Sequence, residues 1–234
     1  MTIPSSGATR VLVVDDDASM RRVYRALFKD TPEFELVGEA RNGFEAFLRF
    51  ARTRPDLVLM DLQMPLCSGI DATRRICAHW PSARVVALTT FGTRENLVAA
   101  LRAGAVGYLL KDIAAPSLFA GMRHALLGDM PVSRTVRRLL VDTLLAEPPS
   151  HLKSLDPGLA AHEIELLGWL TRGLTNVQIG RKMYLSEASV ELYLDRIADR
   201  MGTTSRIQIL IKAIQMRLVD PYALPAPAQA PLAR

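Results

Sequence analysis

A chain of 234 residues, 49 % hydrophobic and 23 % charged, has the make-up of a soluble globular protein with room for one large domain or two ordinary ones. No apolar stretch nears the roughly 18 residues needed to span a membrane, and Met1 to Arg10 lacks the apolar core of a signal peptide. Membrane insertion and export are therefore not expected, and the expected location is cytoplasmic. The net charge of +5 permits a nucleic-acid partner without requiring one, because Ser150 to Pro221 carries nine Lys/Arg against eight Asp/Glu, a net of +1.

Residues 1–9 read as a flexible leader. From Arg10 to about Gly128, strand-like and helix-like segments alternate, which predicts βαβ units and a parallel sheet. Val11-Leu12-Val13-Val14 stops at Asp15-Asp16-Asp17, and Leu57-Val58-Leu59-Met60 stops at Asp61. Val85-Val86-Ala87-Leu88 stops at Thr89-Thr90, and Tyr108-Leu109-Leu110 at Lys111. Short continuous apolar runs suit strands buried on both faces, and open α/β sheets bind ligands at the carboxyl ends of their strands. Phe34 to Ala40 supplies a fifth strand. Between the strands, Ala18 to Phe28 sets Met20, Val23, Tyr24 and Leu27 at helical spacing. Gly43 to Arg52 does the same with Phe44, Phe47, Leu48 and Ala51. Asp71 to His79, Arg94 to Ala103 and Ser117 to Leu127 complete five helices. The expected architecture is a flavodoxin-like, doubly wound (βα)5 domain.

If the strands are parallel neighbours, carboxylates, a hydroxyl and an ammonium meet at one edge. Asp15, Asp16 and Asp61 together would repel one another without a cation. Magnesium suits them, since it takes oxygen ligands and leaves room for phosphate oxygens. Lys111 can pair with Asp61 or with a phosphoryl group, Thr89 can donate to the latter, and Asp61 is a candidate nucleophile for an aspartyl phosphate. Asp17 reads as an exposed helix cap. A phosphatase with an aspartyl nucleophile would usually carry a second Asp two residues on, where this chain has Gln63, so that reading is set aside.

Val14-Asp15-Asp16, Met60-Asp61 with Met64-Pro65 and Gly69, Leu88-Thr89, and Gly107-Tyr108-Leu109-Leu110-Lys111 together resemble response-regulator receiver domains. The resemblance implies that Asp61 accepts a phosphoryl group from a sensor histidine kinase or a small phosphodonor. It also implies that Asp15, Asp16, Asp61 and the backbone carbonyl of Gln63 hold Mg2+. Thr89 and Tyr108 would be a switch pair, the hydroxyl turning to the phosphoryl group as the ring moves inward. Gln63 and Phe91 would lie near the water that removes the group, the only catalysis expected.

Ser133 to Leu145 is again helical, with Val136, Leu139, Leu140, Thr143 and Leu144 on one side, and Glu147-Pro148-Pro149-Ser150 reads as a break. Residues 129–154 are thus expected to form a helical linker. The pattern from Leu159 to Val219 is all helical. Thr175 and Gln178 make a capping box, Tyr184-Leu185-Ser186 a tight turn, and Ser186 a cap for Glu187 to Arg200. Gly173-Leu174-Thr175-Asn176, Ile179, Leu185 to Val190 and Met201-Gly202 resemble the DNA-binding domain of NarL/LuxR-type regulators.

That resemblance implies a helix-turn-helix domain over residues 155–220 that binds promoter DNA as a homodimer. Glu187 to Arg200 would be its recognition helix. The candidate DNA-facing residues are Arg181, Lys182, Ser189, Glu191, Leu192, Asp195, Arg196, Arg200 and Arg206. Ile207, Leu210, Ile211 and Ile214 form the candidate dimer stripe on a last helix, Ser205 to Leu218. Glu191 and Asp195 depart from the family, which usually has basic or small polar residues there. They motivate an alternative in which this domain acts mainly through protein–protein contacts. Residues 221–234, rich in Pro and Ala, are expected to be a disordered tail.

Overall fold

A computed structural model describes residues 7–90, 93–128, 134–146, 157–203 and 205–225, with the backbone alone for 134–137 and 146. The expectations for Phe91, the Val136 side chain, Asp129 to Pro131 and Glu147 to Ser150 lie outside the described residues, as do residues 1–6 and 226–234. The chain folds as two compact units, residues 1–133 and 134–234.

In the first unit, β1 (Thr9–Val14), β2 (Phe34–Ala40), β3 (Leu57–Asp61), β4 (Val85–Thr89) and β5 (Gly107–Leu110) form one parallel sheet in the order β2-β1-β3-β4-β5. They alternate with α1 (Ala18–Lys29), α2 (Gly43–Thr53), α3 (Gly69–His79), α4 (Arg94–Arg102) and α5 (Ala115–Leu126). The apolar runs are buried on both faces, as a doubly covered sheet requires. Successive side chains serve opposite layers. Val11, Val13, Leu57 and Leu59 pack with Tyr24 and Phe28 of α1 and Leu118 and Met122 of α5. Leu12, Val14, Val58 and Met60 pack with Ala46 and Phe50 of α2 and Ala72 and Ile76 of α3. Each buried Val, Leu, Ile, Phe or Met among them contributes about 1.5–3 kcal/mol by leaving water.

One expected face is corrected. Phe44, Leu48 and Ala51 are exposed, whereas Gly43, Ala46 and Phe50 are the buried residues of α2. Gly43 sits so close to Cys67 and Ala72 that a Cβ would meet them at 2.5 Å and 2.9 Å, so the narrow side of α2 faces α3. On α1 the same holds for Val23, which is exposed beside buried Tyr24.

The second unit contains α6 (Arg134–Ala146), α7 (Ala161–Thr171), α8 (Asn176–Met183), α9 (Glu187–Met201) and α10 (Arg206–Gln215). Leu166, Leu167 and Leu170 of α7, Ile179 of α8, Val190, Leu194 and Ile197 of α9, and Ile209 and Ala213 of α10 share one core. Two expectations are corrected here. Residues 221–225 are part of the fold: the Tyr222 hydroxyl bonds Asp142, its carbonyl accepts from Arg172, and Pro225 packs on Gly168. The stripe Ile207, Leu210, Ile211 and Ile214 is at most 4 % exposed, because α10 is enclosed by α6, α7 and α9. It offers no open dimer surface. No described helix is long and apolar enough to cross a membrane.

Candidate functional site

The strand order makes β1, β3, β4 and β5 consecutive neighbours, so their carboxyl ends lie side by side. Asp15 follows Val14, which pairs with Met60. Asp61 pairs with Leu88, and Thr89 with Leu110. One atom from each of Asp15, Asp16 and Asp61 fits within 4.8 Å of the others. Asp15 and Asp61 are buried and Asp16 is exposed, which leaves the cluster open on one side. Lys111 Nζ bridges the buried pair, 2.7 Å from Asp15 Oδ2 and 2.9 Å from Asp61 Oδ2.

Local structure fixes these groups. Asp15 Oδ1 accepts the Asp17 N–H at 3.0 Å, and the Arg21 guanidinium donates to the carbonyls of Asp15 and Asp16. Asp17 is the exposed N-cap of α1, accepting from the Ser19 N–H as expected. Asp61 Oδ1 accepts the Gln63 N–H at 3.3 Å, which holds the Gln63 peptide beside the carboxylate. Gly69 packs against the Asp61 backbone, where a Cβ would come to 1.8 Å of the carbonyl oxygen, so no larger residue fits.

Burial pushes the Asp61 carboxyl above the ordinary range, and the neighbouring Asp15 adds to that, while the Lys111 ammonium opposes it. For Lys111, burial works to lower the ammonium, but the hydrogen bonds and charges of Asp15 and Asp61 outweigh it and the group is raised. Two carboxylates held around one ammonium still have oxygen ligands to offer a hard divalent cation, and the donor set fits Mg2+.

Thr89 and Tyr108 are both buried, Tyr108 to 1 % exposure. The ring already occupies the inward position. Burial raises its phenol and the Thr89 side chain opposes that shift. The hydroxyl is buried and has no hydrogen-bond partner among the described residues.

In the second unit the expected capping box forms, with Thr175 Oγ1 accepting the Gln178 N–H and Gln178 Oε1 accepting the Thr175 N–H. Tyr184 ends α8 with φ +57° and is 97 % exposed, a strained conformation for an aromatic residue that the sequence reading missed. Ser186 caps α9, and Ser189, expected to face DNA, is tied into that cap through its N–H and hydroxyl. Arg181, Lys182, Glu191, Leu192, Asp195 and Arg196 are exposed, with Lys182 lying 5.5 Å over the Trp169 ring.

Two arginines expected at DNA are engaged within the fold. Arg200 Nη1 donates to Glu163 Oε2 at 2.8 Å, and Glu163, 3 % exposed, also accepts the Ala160 N–H. Arg206 donates to Asn176 Oδ1 and to the Leu174 carbonyl, tying the start of α10 to the start of α8. Neither partner was legible, because each lies at least thirty residues away in sequence.

Residues 11–123 match the family model for the response regulator receiver domain, and residues 157–213 that for the luxR family of bacterial regulatory proteins. The transcriptional regulatory protein YxjL of Bacillus subtilis is 34 % identical over 213 residues, covering 90 % of this chain and 97 % of that one. The DNA-binding transcriptional activator DevR/DosR of Mycobacterium tuberculosis is 32 % identical over 219 residues, covering 91 % and 97 %. The crystal structure of the response regulator ChrA, from a heme-sensing two-component system, superposes with a TM-score of 0.50 at 31 % identity, covering 92 % of this chain and 100 % of that one.

Proposed function

The chain belongs to the NarL/LuxR-type two-component response regulators, and on that premise we propose that Asp61 accepts a phosphoryl group that controls promoter binding by the helical unit. The observation that carries this reading is Lys111 bridging Asp15 and Asp61 at the carboxyl edge of the sheet, beside Thr89. The donor is a sensor histidine kinase or a small phosphodonor, and the protein works in the cytoplasm. Its domains are a receiver over residues 10–128 and a helix-turn-helix domain over 155–220, onto which α6 of the expected linker 129–154 and residues 221–225 pack.

Asp61 is the nucleophile. One carboxylate oxygen attacks phosphorus as the donor's bond to phosphorus breaks and its electron pair leaves with the donor. Asp15, Asp16, Asp61 and the Gln63 carbonyl would hold Mg2+, which when bound neutralises charge on the phosphoryl oxygens. Lys111 shifts from the carboxylates to the added phosphoryl oxygens, and Thr89 donates its hydroxyl to another. The Tyr108 ring, already buried inward beside Thr89, is held in that position once the Thr89 hydroxyl has turned. Apart from loss of its own phosphoryl group, the protein performs no catalysis.

A two-state receiver biased in this way controls a DNA-binding dimer, two copies matching two half-sites. The luxR-family match and the relative named as a DNA-binding activator support DNA over protein contacts as the target of the helical unit. Incubation with acetyl phosphate and Mg2+ tests the acceptor. Intact-mass analysis should show one added phosphoryl group that hydroxylamine removes and that Asp61→Asn lacks. Equal labelling of Asp61→Asn would refute the assignment.

A further inference from the structure

The solvent side of α9 carries two parallel rows. Glu187, Glu191, Asp195 and Asp199 recur every fourth residue, and all are exposed. Ala188, Leu192 and Arg196 form the adjoining row, also exposed, and Arg200, next in that row, is drawn away to Glu163. Val190, Leu194, Ile197 and Met201 fill the buried side. Like charges four apart weaken a helix, and carboxylates repel phosphates, so the acidic row serves neither helix stability nor general affinity for nucleic acid. Glu187 alone has a local use, since a carboxylate in the first turn favours the positive end of the helix.

Base edges are read by residues in the amino-terminal part of a recognition helix. Glu191 is the acidic residue there that the fold leaves unexplained, and Ala188 and Leu192 flank it. In the major groove guanine presents only acceptors, thymine an acceptor and a methyl group, and adenine an acceptor beside its donor. Cytosine alone presents an amino donor without an acceptor next to it. Resting on the DNA-binding reading above, we propose that Glu191 is a specificity-determining residue that accepts a hydrogen bond from the amino group of a cytosine in each half-site. Leu192 and Ala188 give it an apolar flank suited to a thymine methyl. Arg181 and Arg196 supply cations for the backbone, and the exposed Tyr184, which ends α8 in the turn before α9, adds a hydroxyl that can donate to a phosphate. The carboxylates are repelled by the acceptor atoms of the other base edges and by the phosphates, so discrimination is gained while non-specific binding stays weak.

The test selects duplexes from a random-sequence pool with the full-length protein, treated with acetyl phosphate and Mg2+, in wild-type, Glu191→Gln and Glu191→Ala forms. The wild type should recover a cytosine at one position of each half-site. Glu191→Gln should shift that position to adenine, which a glutamine amide pairs with at N6 and N7, and Glu191→Ala should lose roughly 5- to 150-fold of discrimination there. Both variants should bind unrelated DNA more tightly than wild type. An identical recovered sequence from all three proteins would overturn the role of Glu191 and leave DNA binding standing. Failure of the wild type to enrich any duplex would overturn the DNA-binding reading and the inference with it.

Discussion

Asp61 is held at odds with its surroundings. Its carboxyl is raised first by burial, and one ammonium, Lys111, serves it and Asp15 together. A raised carboxyl adds stability below its unfolded value near 3.8 and loses it as pH rises through the folded value. At neutral pH the charged form therefore costs the fold some stability, and a neutral side chain of the same shape relieves it while Lys111 keeps Asp15. Asp61→Asn should melt higher than wild type in the absence of divalent cations, by differential scanning calorimetry. Added Mg2+ should raise the wild type more, since a ligand that binds only the folded state stabilises by about 2.7 kcal/mol at a hundredfold its Kd. A lower melting temperature for Asp61→Asn would mean that the Lys111 pair outweighs desolvation. At this scale the sequence was informative wherever chemistry sat at a strand end: Asp15, Asp16, Asp61, Thr89 and Lys111 meet because parallel neighbours end at one edge. It said nothing of Glu163 with Arg200 or Asn176 with Arg206, whose pairing depends on how helices distant in sequence pack.

The helices show which parts of a pattern carry information. Starts were legible because caps are local: Thr175 with Gln178, Ser186 and Asp17 all act within three residues of themselves. Phase was not. Gly43, Ala46 and Phe50 on one side of α2, and Phe44 and Leu48 on the next, are both apolar, and spacing does not say which side meets the sheet. The family resemblance made Ile207, Leu210, Ile211 and Ile214 a candidate dimer stripe, and spacing did not show that α10 has apolar residues on both sides and neighbours for each. One cap is defective. Ala160 stands at the N-cap of α7 with no side-chain acceptor, so only the Glu163 half of a reciprocal cap is present. Ala160→Thr should stabilise the protein by about 1 kcal/mol in chemical denaturation, at unchanged m-value. No gain would mean that the first turn of α7 already satisfies its N–H groups another way.

For the whole molecule, charge and control belong together. Of the net charge of +5, Ser150 to Pro221, which holds α7 to α10, carries only +1, and α9 presents an acidic row to solvent. Neutralising phosphates is the main sequence-independent source of DNA affinity, so one copy should hold DNA weakly. Joining two copies on paired half-sites turns weak contacts into a stable complex, and a receiver that responds to phosphorylation can govern that step. The fold class and the two-unit order were legible from alternating apolar runs and from the change to an all-helical pattern after residue 128, whereas the attachment of α6 and residues 221–225 to the helical unit was not. The most direct test is DNA affinity by fluorescence anisotropy, on a duplex recovered by selection, for wild type and Asp61→Asn with and without acetyl phosphate and Mg2+. Phosphorylation should tighten wild-type binding at least tenfold, about 1.4 kcal/mol, and leave Asp61→Asn unchanged. Equal affinity of phosphorylated and unphosphorylated wild type, with modification verified by mass, would contradict control through Asp61.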